Sequence, residues 1–121
     1  MSGARLWQQV EGALVFTAAL AIYGAGDQPF AWWLTLILFF APDLSFLGYL
    51  AGPKVGAVGY NAVHIYGFGA VLMAVGWLMA MPVVVELGAL WLGHSGFDRM
   101  LGYGLKLSSG FQDTHLGRIG R

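Results

Sequence analysis

VGAVGYNAVHIYGFGAVLMAVGWLMAMPVVV, residues 55–85, decides the fold, because it contains no Asp, Glu, Lys or Arg. A membrane-crossing helix needs about 20 mainly apolar residues, and this run exceeds one crossing. Outward from it, shorter uncharged runs extend from Gly12 to Gly26 and from Gln28 to Pro42. The whole chain has 121 residues, 58% hydrophobic and 10% charged, with mean hydropathy +0.68. Soluble domains average roughly 45–50% apolar and about 25% charged residues, so this chain has too little charge to coat a water-facing surface. The formal net charge is zero and there is no cysteine. A disordered tail, a disulfide scaffold, a thiol nucleophile and a thiolate metal site are excluded, and no nucleic-acid partner is expected. The length accommodates one domain, 1–121, whose first partner is the lipid bilayer.

Four spans are expected, at about 6–25, 30–50, 55–79 and 82–103. Turn chemistry separates them at Gly24-Ala-Gly-Asp-Gln-Pro29, at Gly52-Pro53-Lys54 and at Met81-Pro82. Charge tests the count independently. With four spans, Arg5, Lys54, Lys106, Arg118 and Arg121 fall on one side of the bilayer, and Arg99 leans the same way; the opposite loops hold only Asp27. The positive-inside rule makes that side cytoplasmic. The expectation is an all-α, four-transmembrane-helix bundle, N-in/C-in, in a bacterial inner membrane. A cleaved signal peptide suits the first span poorly, since Gln8, Gln9 and Glu11 sit where its apolar region should begin. Gly67, Gly69 and Gly76 are candidates for close helix contact, and glycine faces are also compatible with a homodimer. Trp7, Trp32, Trp33 and Tyr103 fall near span ends, as an interfacial belt would place them.

Ionisable groups at membrane depth are costly and point to function. Counting about 1.5 Å per residue from the cytoplasmic ends, Glu11, Asp43 and Asp98 come out roughly 8–10 Å deep, and His64 and His94 about 14 Å. Four antiparallel helices each deliver a polar group to one layer, while Glu86 stands apart near the outer end of span four. His94 and Asp98 are i, i+4 and share a helix face, as do Tyr60 and His64. Pro42 interrupts the ladder of span two just before Asp43.

Three functional readings fit this layer. The first is a divalent metal site (zinc, iron or manganese) built from His64, His94 and Asp98, with Asp43 or Glu11 as catalytic base and Arg99 steadying developing negative charge. The second is a haem held axially by His64 and His94. The third is proton or cation coupling through Glu11 and Asp43 in a small transporter. The structural alternative is mutual pairing that only pins helix register. The tail, 104–121, is expected to lie amphipathically on the cytoplasmic headgroups, with Leu105, Phe111, Leu116 and Ile119 inward and the basic residues outside. His115 in it is a further metal-competent group, so the tail is a candidate lid.

Ala41-Pro-Asp-Leu-Ser45 with Gly48-Tyr49, Tyr60-Asn61-x-x-His64, His94-x-Gly96-x-Asp98-Arg99-x-x-Gly102-Tyr-Gly-Leu-Lys106 and Phe111-x-x-Thr114-His115-Leu-Gly117 resemble domain-of-unknown-function family 4260. The resemblance implies a small bacterial integral membrane protein and names no reaction. From the residues themselves, the expected activity is metal-dependent hydrolysis of a lipid-like or amphiphilic small molecule entering from the inner leaflet.

Overall fold

The computed structural model describes residues 3–119. The chain is helical: α1 (Gly3–Ala25), α2 (Trp32–Phe40), a 3-10 segment (Ala41–Ala51), α3 (Pro53–His64), α4 (Tyr66–Leu78) and α5 (Pro82–Met100). A two-stranded antiparallel hairpin, β1 (Asp113–Thr114) and β2 (Gly117–Arg118), closes the described tail. Arg121, counted above among the basic residues of one side, lies outside the described residues.

The sequence explains where these elements start and stop. Pro42 has no N–H to give the Leu38 carbonyl, which instead accepts from Ala41 N–H, and the chain tightens from α to 3-10 geometry at that point. Gly52, at φ 110°, turns the chain into Pro53 at the first position of α3. Ala80, at φ 54°, closes the α4–α5 turn, with Met81 N–H donating to Gly76 O at 2.7 Å. The expected join at Met81-Pro82 is therefore present.

The third expected span is broken. Ile65 is extended (φ −76°, ψ 150°), and α3 and α4 meet at a 47° bend. Neither proline nor glycine stands at the break. The interruption is stabilised from outside: Arg99 Nη2 donates to His64 O at 2.6 Å, satisfying a carbonyl that the interrupted ladder leaves free.

α5 is the central element, flanked by α1 and α4, while α3 packs on the 3-10 segment. Both α5 interfaces bring backbones together at glycines. A methyl group on Gly96 would lie 2.6 Å from Phe16 N, and one on Gly88 would lie 2.5 Å from Met73 N. Gly69 and Gly76 meet α5 as expected, but Gly67 does not, its nearest neighbour being its own Ile65 side chain at 3.9 Å. Tyr23, Phe39, Ala89 and Leu90 form a core among α1, α2 and α5.

Among the described residues, Trp32–Ala51 is long and apolar enough to cross a membrane, and the bent α3–α4 pair is a second such segment if counted as one span. The surface is rich in exposed apolar side chains, with Leu50 89%, Leu78 84% and Trp77 82% exposed. Such a surface is costly in water and natural in lipid.

Candidate metal centre

Four side chains converge from three elements. Asp43 comes from the first turn of the 3-10 segment, His64 is the last residue of α3, and His94 and Asp98 stand one turn apart on α5. The bend after residue 64 and the change of helix type at residue 41 both fall beside the residues they present. His64 Nε2 lies 3.1 Å from Asp43 Oδ1 and 3.2 Å from His94 Nε2. His94 Nε2 lies 3.0 Å from Asp43 Oδ1 and 3.3 Å from Asp98 Oδ2, and the remaining His64–Asp98 separation is 3.6 Å. Donors about 2.0–2.1 Å from one ion stand about 3.3–3.4 Å apart at the corners of a tetrahedron. The cluster therefore has the dimensions of a metal coordination shell.

Donor chemistry agrees. His64 Nδ1 lies 2.7 Å from the Tyr60 carbonyl, an acceptor only, so Nδ1 carries a proton and Nε2 is the ring atom turned into the cluster. The Tyr60 ring stacks on His64 at 3.7 Å and 6°, fixing the imidazole plane. Phe39 and Phe40 meet His94 edge-on at 5.5 and 5.9 Å. His94 Nδ1 has no hydrogen-bond partner among the described residues, so the two imidazoles are held by different means. Both histidines are fully buried, whereas the Asp43 side chain is 49% exposed.

Asp43 faces a cavity of about 390 Å³, whose walls include Asp98, Tyr60, Phe97, Lys106 and Phe111. This volume lies within the roughly 300–1,000 Å³ typical of small-molecule sites. The tail supplies part of the wall. Asn61 clasps it through both backbone groups of Lys106, with Nδ2 donating to Lys106 O at 2.8 Å and Oδ1 accepting from Lys106 N–H at 2.6 Å. An antiparallel bridge from Lys106 to Thr114 then turns the hairpin back. Contrary to the expected outward position of the basic residues, Lys106 is 4% exposed. Its Nζ sits 3.8 Å from the Phe111 ring centroid and 4.9 Å from that of Tyr60. Burial pulls the Lys106 ammonium below its usual pKa, while the charges of Asp98 and Asp43 push it back up.

The other expected site residues stand elsewhere. Glu11 is exposed on α1, where it accepts from Gln8 Nε2 at 3.3 Å. His115 is exposed and accepts from Leu105 N–H at 2.8 Å through Nδ1. The Arg99 guanidinium is buried and donates to the carbonyls of His64 and Tyr103 (2.6 and 3.2 Å). It positions His64 rather than lining the cavity. A haem between axial His64 and His94 does not fit, since the 3.2 Å between their Nε2 atoms leaves no room for a macrocycle. Asn61 and Lys106 were not singled out for a site role by the sequence, because their meeting depends on how the tail folds back.

A helical protein with a buried His/Asp cluster able to hold a metal ion is the class that fold and site define. The chain belongs to the family described as a domain of unknown function (DUF4260), whose model matches residues 5–119. Neither a curated protein nor a solved structure matches it.

Proposed function

We propose that the chain is a four-span, N-in/C-in protein of a bacterial inner membrane, in which α3 and α4 together make one bent crossing, and that its cluster is a divalent metal centre for hydrolysis of an amphiphilic small molecule. The observation that carries the metal reading is the convergence of one donor each from Asp43, His64, His94 and Asp98 within 4.8 Å of one another. Imidazole with carboxylate donors suits zinc, iron or manganese. The span count is supported by the turns after α1, after the 3-10 segment and after α4, and by the one-sided placement of Lys and Arg.

The roles follow from burial. His64 and His94 are fully buried and Asp98 nearly so, and these three act as fixed ligands, while Asp43 is the more exposed of the two carboxylates on the cavity. A bound divalent ion would supply an acidified water and polarise the scissile group. Asp43 is placed to take the proton from the attacking water. The aromatic wall takes the apolar part of the substrate, and its exclusion of water strengthens every charge interaction within.

Elemental analysis of the purified protein tests the centre. One divalent ion per chain is expected, with the ion lost in His94→Ala. A metal-free wild-type protein that retains its structure and still takes up no added zinc, iron or manganese overturns the metal reading and leaves the cluster as a pairing device.

A further inference from the structure

Buried ammonium groups are ordinarily paired with a carboxylate. Lys106 is 4% exposed, yet no ion pair reaches its Nζ among the described residues, and the ring faces of Phe111 and Tyr60 lie against it. The two carboxylates that share its cavity, Asp43 and Asp98, are engaged with the imidazoles at 3.0–3.6 Å. Lys106 thus has no direct ion pair, its nearest counter-charges being Asp43 and Asp98 across the cavity, and the open side of the ammonium is that cavity. Once a divalent ion offsets the two carboxylates, the cavity carries one net positive charge, from Lys106. Next to it the wall is apolar, with Phe46, Leu101 and Ile119 completing the aromatic surface.

We infer that the cavity binds a single-chain amphiphile with a phosphate headgroup, the headgroup on Lys106 and the chain along the apolar wall. This rests on the reading of the cavity as a substrate site. Phosphate suits the place because its anionic oxygens can meet the lysine as a point charge. A quaternary ammonium headgroup is disfavoured, because the aromatic faces that would receive it already hold Lys106.

The test is binding of octyl phosphate to the full-length, zinc-loaded protein in neutral maltoside micelles, with empty micelles subtracted. Inorganic phosphate and octyl glucoside are the separating probes. Lys106→Gln keeps the stem and the backbone clasp to Asn61, and is expected to weaken octyl phosphate binding about tenfold or more, with zinc content unchanged and octyl glucoside binding unaffected. Lys106→Arg, which restores the charge, is expected to retain binding within about threefold, a small fraction of the effect of losing a charged contact. Equal octyl phosphate affinity in wild type and Lys106→Gln overturns the inference while leaving the metal centre standing. Inorganic phosphate binding as tightly as octyl phosphate, with the same dependence on Lys106, overturns the amphiphile and leaves only an anion site. A protein that takes up no zinc removes the metal reading and, with it, the charge balance on which the phosphate assignment rests.

Discussion

Helix α5 buries a carboxylate towards each end, and the two ends treat it differently. Glu86, near the start, is 3% exposed, and its Oε2 has no hydrogen-bond partner among the described residues. It packs against the α1–α2 connection, where a methyl group on Gly26 would overlap its carboxylate. Asp98, near the other end, is 7% exposed, but it meets imidazoles from α5 and α3, and a second carboxylate from the 3-10 segment joins them. Burial of an ionisable group marks only a cost. Convergence of donors from separate elements is what distinguishes a site, and α5 shows both cases along one helix.

The sharpest way to break that contrast is to remove donors from the cluster and, separately, the charge of Glu86. His64→Ala and His94→Ala are expected to weaken zinc binding by more than about 100-fold, since losing even an outer partner of a ligand costs about 10–100-fold. Glu86→Gln should leave zinc affinity unchanged, as measured by competition with a chromogenic chelator. Equal losses at the two ends would erase the distinction.

Removal of residues 108–121 acts one layer further out. It takes away Phe111 and Ile119 from the cavity wall but none of the four clustered side chains. Zinc content should persist while amphiphile binding is lost, and unchanged amphiphile binding would show that the tail is not a lid. Asn61→Ala is a milder version. It deletes two hydrogen bonds to the Lys106 backbone and leaves a buried N–H and C=O without partners, at a cost of about 1–3 kcal/mol for each unsatisfied group. Hydrogen exchange at residues 105–107 should accelerate, with the α5 amides unaffected.

The smallest effect lies in the hairpin. Hydrogen bonds from Ser109 and Arg118 hold the Asp113 carboxyl below its ordinary value of 3.8. A carboxyl depressed in the folded state stabilises it above the unfolded pKa, and that contribution disappears as pH falls through the folded value. The Ile119 amide, bonded to Gln112 O at 2.8 Å, should therefore keep its exchange protection at pH 5 and lose some below pH 3.8, whereas in Asp113→Asn the protection should not change over that interval.

Much of this was legible in the sequence. Uncharged runs and Gly/Pro punctuation located the helical segments and their turns, and depth counting put Asp43, His64, His94 and Asp98 on one level. Pro42 foretold the change of helix type beside Asp43. Depth counting also put Glu11 on that level, and it failed there because depth fixes height along a helix but not the direction a side chain faces. The break at Ile65 could not be read, since Arg99 on a distant helix sustains it and no local residue announces it. The burial of Lys106 was equally hidden. A lysine in a polar tail reads as a solvated charge until Asn61 and two aromatic rings, far away in the chain or across a turn, are known to surround it.

Optical titration of the metal-free protein with cobalt(II) tests the central claim most directly, because four-coordinate cobalt absorbs far more strongly in the visible than six-coordinate cobalt. Strong visible bands that saturate at one cobalt per chain, are displaced by zinc, and vanish in both His64→Ala and His94→Ala are the predicted result. A spectrum no different from cobalt in buffer, or bands that survive both substitutions, would contradict it.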